Sequence, residues 1–293
     1  SMNAVGRRFR GAVLKEKFRL GRSLALPGSG PRCASDVGGR RTGAAFIRPA
    51  FFALLLASAV AGAAPHFDTI IRHGRVIDGT GNPAFLADVA IRDGRIAVLG
   101  RITNEARLEI EARGLVVAPG FIDVHTHAEE IDELPLAENF LRMGVTTLVL
   151  GNCGTSTLDV GAFFRRLEAT NVSPNVATLI GHGSVRAKVM GGSFRRPPTA
   201  AELEQMQALV GRAMEDGAVG LSTGLIYLPG RFAKTDELIA LAKVAARHDG
   251  IYASHIRDEG REIFSALDEV FRIAREAGIR AEIYLGESGM KAQ

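Results

Sequence analysis

From residue 117 onward the sequence alternates short apolar runs with helical segments, and this repeat constrains the fold more than any other feature. Strands are predicted at 117–124, 146–151, 175–181, 218–222, 251–255 and 281–285. Helices are predicted between them at 134–143, 159–170, 199–216, 234–248 and 260–277. Apolar strands of this kind are typical of parallel sheets covered on both faces. The pattern predicts an α/β fold of the (β/α)8 barrel type, with six βα units visible.

Residues 65–116 show a different pattern, in which short β-type runs alternate with turns. The dipeptide Asp93-Gly94 separates two such runs, and Asp-Gly in this position strongly indicates a β-hairpin. These residues are therefore predicted to form a small antiparallel β unit ahead of the barrel segment, which is assigned to 117–293.

The charge of the chain is unevenly distributed. The whole sequence has 293 residues, a formal net charge of +4 and a pI of about 9.3. Residues 1–50 carry eleven Lys/Arg and two Asp/Glu, which leaves the remainder net acidic. Because the basic character belongs to the leader, it gives no reason to infer a nucleic-acid partner.

The leader, 1–64, has the pattern of a secretory signal peptide. Arg40, Arg41 and Arg48 precede an uncharged run at 51–64 that ends in small residues. That run is too short to span a bilayer, and its end resembles a signal-peptidase site. An exported protein of the periplasm or the extracellular space is expected, with no membrane association after cleavage. An uncleaved anchor and an internal core helix are the alternatives, and the stretch upstream suggests a translation start near Val37.

The chain has two cysteines, Cys33 in the leader and Cys153. A processed protein would keep Cys153 alone, so no intramolecular disulfide is expected.

Two histidines one residue apart, His125 and His127, follow the first barrel strand. In a strand, side chains at i and i+2 point to the same side, so the two imidazoles would project together. Imidazole is the commonest zinc ligand, which makes this pair half of a site. A surface strand with two exposed histidines is the alternative, but the apolar flanks favour a buried strand.

Two further metal-ligand candidates also follow predicted strands. Cys153 ends the second strand between Gly151 and Gly154, and His255 ends the fifth. A buried structural cysteine is the alternative for Cys153. A mixed His/Cys set suits catalytic zinc, which lowers the pKa of bound water toward about 7 and polarises a carbonyl group. The predicted chemistry is hydrolysis of an amide or similar acyl bond.

Three residues are candidates for substrate binding: His182, Tyr227 and Arg257. His182 lies between two glycines, where a satisfied loop histidine is equally expected. Tyr227 lies in a Gly- and Pro-rich loop after the fourth strand, where it would bind a carboxylate or simply pack. Arg257 would pair with a substrate anion or, slightly favoured, with Asp258 or Glu259.

These residues lie in six motifs: Ile77-Asp-Gly-Thr-Gly, Pro119-Gly-Phe-Ile-Asp-Val-His-Thr-His, Gly151-Asn-Cys-Gly, Gly181-His-Gly-Ser-Val-Arg, Gly220-Leu-Ser-Thr-Gly-Leu-Ile-Tyr and Ser254-His-Ile-Arg-Asp-Glu. With these motifs the chain resembles the amidohydrolase superfamily, and most closely its N-acyl-D-amino-acid deacylases. The motifs occur in family order and spacing from residue 67 to roughly residue 280.

The resemblance implies a small β-sandwich beside a metal-dependent (β/α)8 barrel. It implies one tight zinc site at Cys153 and His255 with a further barrel histidine, and a second, weaker site at His125 and His127. Tyr227 matches a family position that contacts the substrate carboxylate. Hydantoinase-like relatives bridge their metals with a lysine after the fourth strand, whereas Cys153 takes that role here.

The sequence departs from the family pattern at its end. The sixth strand carries a histidine ligand in the family, whereas Glu282-Ile-Tyr-Leu-Gly stands here. The catalytic aspartate of the family is expected beyond Gln293, so no catalytic acid–base residue is assigned. A truncated or frameshifted product, with its frame lost near residue 284, is expected to be far less active than a complete enzyme.

The sequence therefore predicts a zinc-dependent hydrolase that cleaves the amide bond of small N-acyl-D-amino acids. An amidohydrolase acting on a cyclic amide or a dipeptide, and a non-catalytic metal-binding fragment, are the alternatives. The sequence leaves the oligomeric state open.

Overall fold

The computed structural model describes residues 67–284, which form two compact units. One unit comprises residues 67–75 and 86–115, and the other comprises 76–85 and 116–284. The predicted leader at 1–64, with its signal peptide and Cys33, lies outside the described residues. So does residue 285, the predicted end of the last strand.

The first unit is built on four strands in the order β3-β2-β1-β4. Their bounds are β1 (Phe67–Val76), β2 (Phe85–Arg92), β3 (Arg95–Gly100) and β4 (Ala106–Glu111). The buried side chains of Phe67, Ile70, Ala90 and Ile102 form its core.

The hairpin predicted at Asp93-Gly94 is confirmed. Strands β2 and β3 are antiparallel, and both turn residues have positive φ, 51° at Asp93 and 73° at Gly94. Two positive φ angles define the turn whose twist matches that of the flanking strands. A wholly antiparallel unit was the wrong prediction, because β1 and β4 are parallel. Residues 101–105 carry the chain from β3 at one edge of the sheet to the far side of β1, which gives β4 the direction of β1.

The second unit contains two parallel sheets, in the orders β6-β7-β8 and β9-β10-β11-β12. The strands of this unit are β5 (Val116–Val117), β6 (Phe121–Asp123), β7 (Val145–Leu150), β8 (Asn175–Thr178), β9 (Ile180–Gly181), β10 (Gly220–Gly224), β11 (Ile251–His255) and β12 (Arg280–Tyr284). A single residue, Leu179, separates β8 from β9, so one stretch of chain serves both sheets. Neighbouring strands follow one another in sequence without reversal, as in the wall of a (β/α)8 barrel and unlike a doubly wound sheet.

Six α-helices connect these strands: α1 (Glu138–Arg142), α2 (Val160–Thr170), α3 (His182–Met190), α4 (Ala200–Glu215), α5 (Thr235–Ala246) and α6 (Ile263–Ala277). The prediction of a helix over 134–143 was too long. Pro135 lacks an amide hydrogen, and Ala137 adopts a left-handed φ of 45° directly before α1. Helix α3 was not predicted, because its hydrophobic and polar residues show no helical periodicity. Among residues 67–284, no helix combines the length and hydrophobicity needed to cross a bilayer.

The main core lies between the parallel strands and the helices that connect them. Val210 of α4, Leu241 of α5 and Val270 of α6 are fully buried against Leu221 and Tyr252 of the sheet. Helices α4, α5 and α6 pack in sequence order, α4 on α5 and α5 on α6. This layer holds the strands in place, so the strand ends form a fixed rim.

The strand predicted at 117–124 is shorter and more exposed than expected. Pro119 and Gly120 separate β5 from β6, and a side chain at Gly120 would overlap that of Thr146. The prediction of a buried strand was wrong, because Phe121 and Ile122 are 63% and 50% exposed. Within the described residues β6 pairs with β7 on one side only, so the other side of its apolar run has no strand against it.

The N-terminus of α4 gives a testable contribution to stability. The hydroxyl of Thr199 accepts a hydrogen bond from the Glu202 amide at 3.2 Å, and the Glu202 carboxylate accepts one from the Thr199 amide at 2.7 Å. We expect Thr199→Ala to lower the free energy of unfolding by about 1 kcal/mol in urea denaturation. Gln205→Ala, at an exposed position of the same helix, is the matched control. Equal stability of the two variants would contradict a role for this cap.

Candidate metal centre

His125 and His127 lie in the loop that follows β6, two and four residues beyond its last residue, Asp123. The carboxylate of Asp123 accepts a hydrogen bond from the His125 amide at 3.1 Å, which turns the chain at the strand end. The two imidazoles lie close together, with ring centroids 5.3 Å apart. The predicted juxtaposition is therefore present, although a loop rather than a strand produces it.

Cys153 lies in the loop after β7, directly beside the histidines. Its Sγ is 3.2 Å from Nε2 of His125 and 3.6 Å from Nδ1 of His255. Ligand atoms of His125, His127 and Cys153 all lie within 4.8 Å of one another. The thiol thus stands between the histidine pair on one side and His255 on the other.

The backbone around Cys153 is closely packed against neighbouring strands. Cys153 itself has a positive φ of 54°, which is uncommon for a residue with a side chain. A Cβ atom at Gly224 would lie 2.2 Å from the carbonyl oxygen of Cys153, and one at Gly181 would lie 2.5 Å from that of Gly154. Only glycine allows these backbones to approach so closely. Gly181 and Gly224 of the motifs therefore let the neighbouring strands pack directly against the cysteine loop.

His255 is the last residue of β11 and is 8% exposed. Its Nε2 lies 3.1 Å from a carboxylate oxygen of Glu259, while its Nδ1 faces Cys153. Metal-ligating histidines commonly use the second ring nitrogen in this way, because a carboxylate partner fixes the orientation of the ring.

Tyr284 ends β12 in register with His255. Its ring stacks on that of His125 with centroids 4.1 Å apart, and its hydroxyl donates to the carbonyl of Val124 at 3.4 Å. The aromatic side chain therefore packs against the first histidine loop.

The environment favours uncharged ligands before a metal binds. Burial, helped by the charges of His127 and His255, lowers the pKa of His125. Burial, helped by the charge of Glu259, raises the pKa of the Cys153 thiol. A neutral imidazole is the form that binds a metal, whereas the thiol must lose its proton on binding.

The donor set fits zinc. Imidazole nitrogen and thiolate sulfur are the ligands that Zn²⁺ prefers, and three or four of them converge here. All four predicted ligands, His125, His127, Cys153 and His255, are brought to one place.

The cluster opens into a cavity of about 370 Å³. Its lining includes His127, Cys153, Tyr227 and Pro229, and the predicted loop after β10 forms one wall.

Tyr227 is half exposed, and its ring meets that of His255 edge-on with centroids 4.9 Å apart. Burial raises the pKa of Tyr227, so its hydroxyl is a hydrogen-bond donor at neutral pH. A larger concavity between α4, α5 and α6 contains none of the candidate ligands.

His182 is the first residue of α3 and is fully buried. Its Nε2 lies 2.9 Å from the carboxylate of Glu237, which also accepts two hydrogen bonds from the buried guanidinium of Arg186. Arg186 in turn donates to the carbonyls of Phe194 and Arg196 at 2.9 and 2.8 Å. The network joins α3 to α5 behind the cavity and uses Nε2 of His182, whereas its buried Nδ1 has no hydrogen-bond partner among the described residues. Contact between His182 and substrate stays a prediction.

This network predicts an acid-sensitive contribution to stability. Burial raises the pKa of Glu237, but the hydrogen bonds and charges of His182 and Arg186 outweigh it and hold the pKa below its ordinary 4.5. A carboxylate with a depressed pKa stabilises the fold above 4.5 and loses this effect as the pH falls through its folded pKa. We expect the wild type to lose stability more steeply than Glu237→Gln in urea titrations below pH 4.5. If the free energy of unfolding falls equally steeply with pH in the two proteins, the depressed pKa of Glu237 does not stabilise the fold.

Arg257 forms an ion pair, but with a different partner from either one predicted. Its guanidinium donates to both carboxylate oxygens of Glu269 in α6, at 2.8 and 2.9 Å, and to the carbonyl of Arg231 at 2.8 Å. Pairing with Asp258 or Glu259 was therefore wrong, because Glu269 reaches Arg257 from the adjacent helix. A substrate contact of Arg257 stays a prediction.

Sequence reasoning missed several residues that hold this site together. Ser222 bonds the backbone of the cysteine loop, and Glu129 accepts a hydrogen bond from the Gly151 amide at 3.0 Å. Asn152 donates from the cysteine loop to the carbonyl of Thr126 in the histidine loop at 3.1 Å. Asn152 is adjacent to Cys153 in a recognised motif, which was a signal for its involvement. Ser222 also lies in one of the six motifs, but its contact with the cysteine loop spans 71 residues. Glu129 lies outside the motifs and carries no such signal.

The chain is similar to several known proteins. The chain is 38% identical to D-aminoacylase of Alcaligenes xylosoxydans xylosoxydans over 242 residues, which are 73% of this chain and 49% of that protein. It matches a solved structure of N-acyl-D-glutamate deacylase from Bordetella bronchiseptica, complexed with zinc and a phosphonate inhibitor, with 41% identity and a TM-score of 0.72. That match covers 74% of this chain and 51% of the other. A structure addressing the binuclear metal centre in D-aminoacylase matches with 36% identity and a TM-score of 0.71, covering 77% of this chain and 53% of that one.

The chain spans about half the length of these relatives. A model of the amidohydrolase family matches residues 108–290, which include every residue of the metal cluster and more than half of the chain. The chain belongs to the amidohydrolase family.

Proposed function

We propose that the protein is a zinc-dependent hydrolase that cleaves the amide bond of N-acyl-D-amino acids. The observation that carries the proposal is the cluster of His125, His127 and Cys153 at the edge of a cavity, with His255 against the same thiol. The relatives named D-aminoacylase and N-acyl-D-glutamate deacylase support the substrate class, and the zinc complex of the latter supports the metal.

The position of Cys153 supports two metal positions rather than one. Its sulfur lies between His255 on one side and the His125–His127 pair on the other. A bound Zn²⁺ supplies Lewis acidity toward a carbonyl oxygen and lowers the pKa of water. We assign the tighter position to Cys153 with His255, whose ring is oriented by Glu259, and the weaker one to the more exposed His125 and His127.

The residues of this chain would bind and orient the substrate in the cavity. Tyr227 projects its hydroxyl donor beside His255 and Cys153, where the carboxylate of an N-acyl amino acid would accept it. Ala187, Leu228 and Pro229 give the wall an apolar part against which an acyl chain would pack, and Thr155 and Ser184 add two hydroxyl groups. The cavity therefore offers a polar end at the metal cluster and a partly apolar wall beside it.

The proposal is tested with metal-free and zinc-loaded protein and a panel of N-acetyl-D- and N-acetyl-L-amino acids. Zinc-dependent release of the free D-amino acid, with little release of the L-enantiomer, is the expected result. Turnover of a cyclic amide or a dipeptide instead would favour a different amidohydrolase specificity. Stoichiometric zinc without turnover or binding of any panel member would identify a non-catalytic metal-binding protein.

Replacing Tyr227 by phenylalanine removes one hydroxyl from the cavity wall. We expect the KM for N-acetyl-D-amino acids to rise roughly 10-fold or more with little change in kcat, since a hydrogen bond to a charged group contributes about 1.5–3 kcal/mol. Steady-state kinetics of the zinc-loaded protein measure both constants. Phe232→Leu, outside the cavity lining, is the control. An unchanged KM would remove Tyr227 from the carboxylate site.

A further inference from the structure

We propose that Ser222 and Asn152 are positioning residues that hold the Cys153 loop in its metal-binding conformation. This inference rests on the proposed function only in taking Cys153 as a metal ligand. Neither side chain reaches the cavity as a ligand, and both are fully buried. Ser222 bonds the backbone on both sides of Cys153, and Asn152 bonds the backbone of Thr126 and Val149.

Ser222 lies in β10 and clamps the two ends of the loop. Its hydroxyl donates to the carbonyl of Gly151 and accepts from the amide of Gly154 at 3.1 Å. These are the residues two before and one after Cys153. A single hydroxyl thus uses both its donor and its acceptor to close the turn that carries the thiol.

Asn152 fixes the same loop to the loop that carries the histidine pair. Its amide nitrogen donates to the carbonyl of Thr126 at 3.1 Å and to that of Val149 at 2.7 Å. Thr126 is the residue between His125 and His127. One side chain therefore sets the distance between the thiol and both imidazoles.

The loop needs such support because its own backbone is unfavourable for a cysteine. Cys153 has a φ of 54°, and the glycines at 151 and 154 have φ of 75° and 78°. Glycine restricts the backbone least, so we expect this turn to populate other conformations if the hydrogen bonds from Ser222 and Asn152 are removed. Residues that orient ligands in this way are commonly worth about 10–100-fold in metal affinity.

The test compares Ser222→Ala with Thr223→Val in a Cys33→Ser background, so that Cys153 is the sole thiol. Thr223 is the neighbouring buried residue of β10, and its hydroxyl bonds Ser254 and Tyr252 rather than the cysteine loop. Both variants lose one buried hydroxyl. The measurements are Co²⁺ affinity from the thiolate charge-transfer band, reactivity of the metal-free thiol with Ellman's reagent, and Tm.

We expect Ser222→Ala to bind Co²⁺ about 10–100-fold more weakly than Thr223→Val at a comparable Tm. Its thiol should react several-fold faster, because the half-buried sulfur becomes accessible when the loop is released. Equal Co²⁺ affinity and equal thiol reactivity in the two variants would overturn the proposal. If the wild type binds metal but hydrolyses no N-acyl amino acid, the proposed function fails while this comparison still decides the role of Ser222.

A second pair covers the case in which Ser222→Ala does not fold. Asn152→Ala is compared with Asn175→Ala, whose amide also donates to a backbone carbonyl, that of Thr146 at 3.2 Å, away from the cysteine loop. The proposal is supported if Asn152→Ala alone binds Co²⁺ more weakly and its thiol reacts faster with Ellman's reagent. Equal Co²⁺ affinities and equal thiol reaction rates in the two asparagine variants would overturn it. If the wild type binds no Co²⁺, the metal-binding role of the loop is overturned.

Discussion

Replacing Cys153 by serine is expected to lower the affinity for zinc by more than about 100-fold, because loss of a ligand exceeds the effect of losing a residue that orients one. The sulfur is the atom that meets both His125 and His255, so its removal affects both proposed metal positions. A serine hydroxyl stays protonated at neutral pH and is a poor substitute for thiolate. Competition with a zinc-binding dye measures the affinity directly.

Cys33→Ser is the matched control for this substitution, since it removes the other cysteine of the chain. We expect it to bind zinc as the wild type does. If Cys33→Ser loses zinc and Cys153→Ser retains it, the metal is bound elsewhere and the proposed centre is wrong.

Replacing Arg186 by methionine is expected to lower the free energy of unfolding by about 3–5 kcal/mol, because one partner of a buried ion pair is removed and the other remains. Glu237 would keep the hydrogen bond to the His182 ring but lose its guanidinium partner in a nearly solvent-free position. The carbonyls of Phe194 and Arg196 would also lose their donor. Urea denaturation at neutral pH measures the loss.

Arg142→Ala is the control, because it breaks the exposed ion pair between Arg142 and Glu138 on α1. Pairs of that kind contribute little in water, so stability should be nearly unchanged. The account of the buried network would be contradicted if Arg186→Met were as stable as Arg142→Ala.

The metal cluster was predictable because each ligand lies at or just after a strand end. Parallel strands bring their carboxyl ends to one rim, so strand assignment alone placed His125, His127, Cys153 and His255 near one another. The capping box at Thr199 and the hairpin at Asp93-Gly94 were predictable for a different reason, since each depends on residues close in sequence.

The parts that sequence reasoning missed depend on contacts across long sequence separations. Glu237 lies more than fifty residues from His182 and Arg186, with which it forms hydrogen bonds. Glu269 pairs with Arg257 although the predicted partners are much nearer to Arg257 in sequence. Helix α3 lacks an amphipathic pattern because both its polar and its apolar residues are buried, including His182, Arg186 and Val185. Exposure of the apolar β6 run was missed because burial was inferred from its composition rather than its place at a sheet edge.

The most direct test of the metal centre is a crystal structure of the zinc-loaded protein with anomalous data collected at the zinc edge. We expect an anomalous peak about 2.3 Å from Sγ of Cys153 and about 2.0–2.1 Å from a ring nitrogen of His255, His125 or His127. A peak at other residues, or none beside Cys153 in protein that carries stoichiometric zinc, would contradict it.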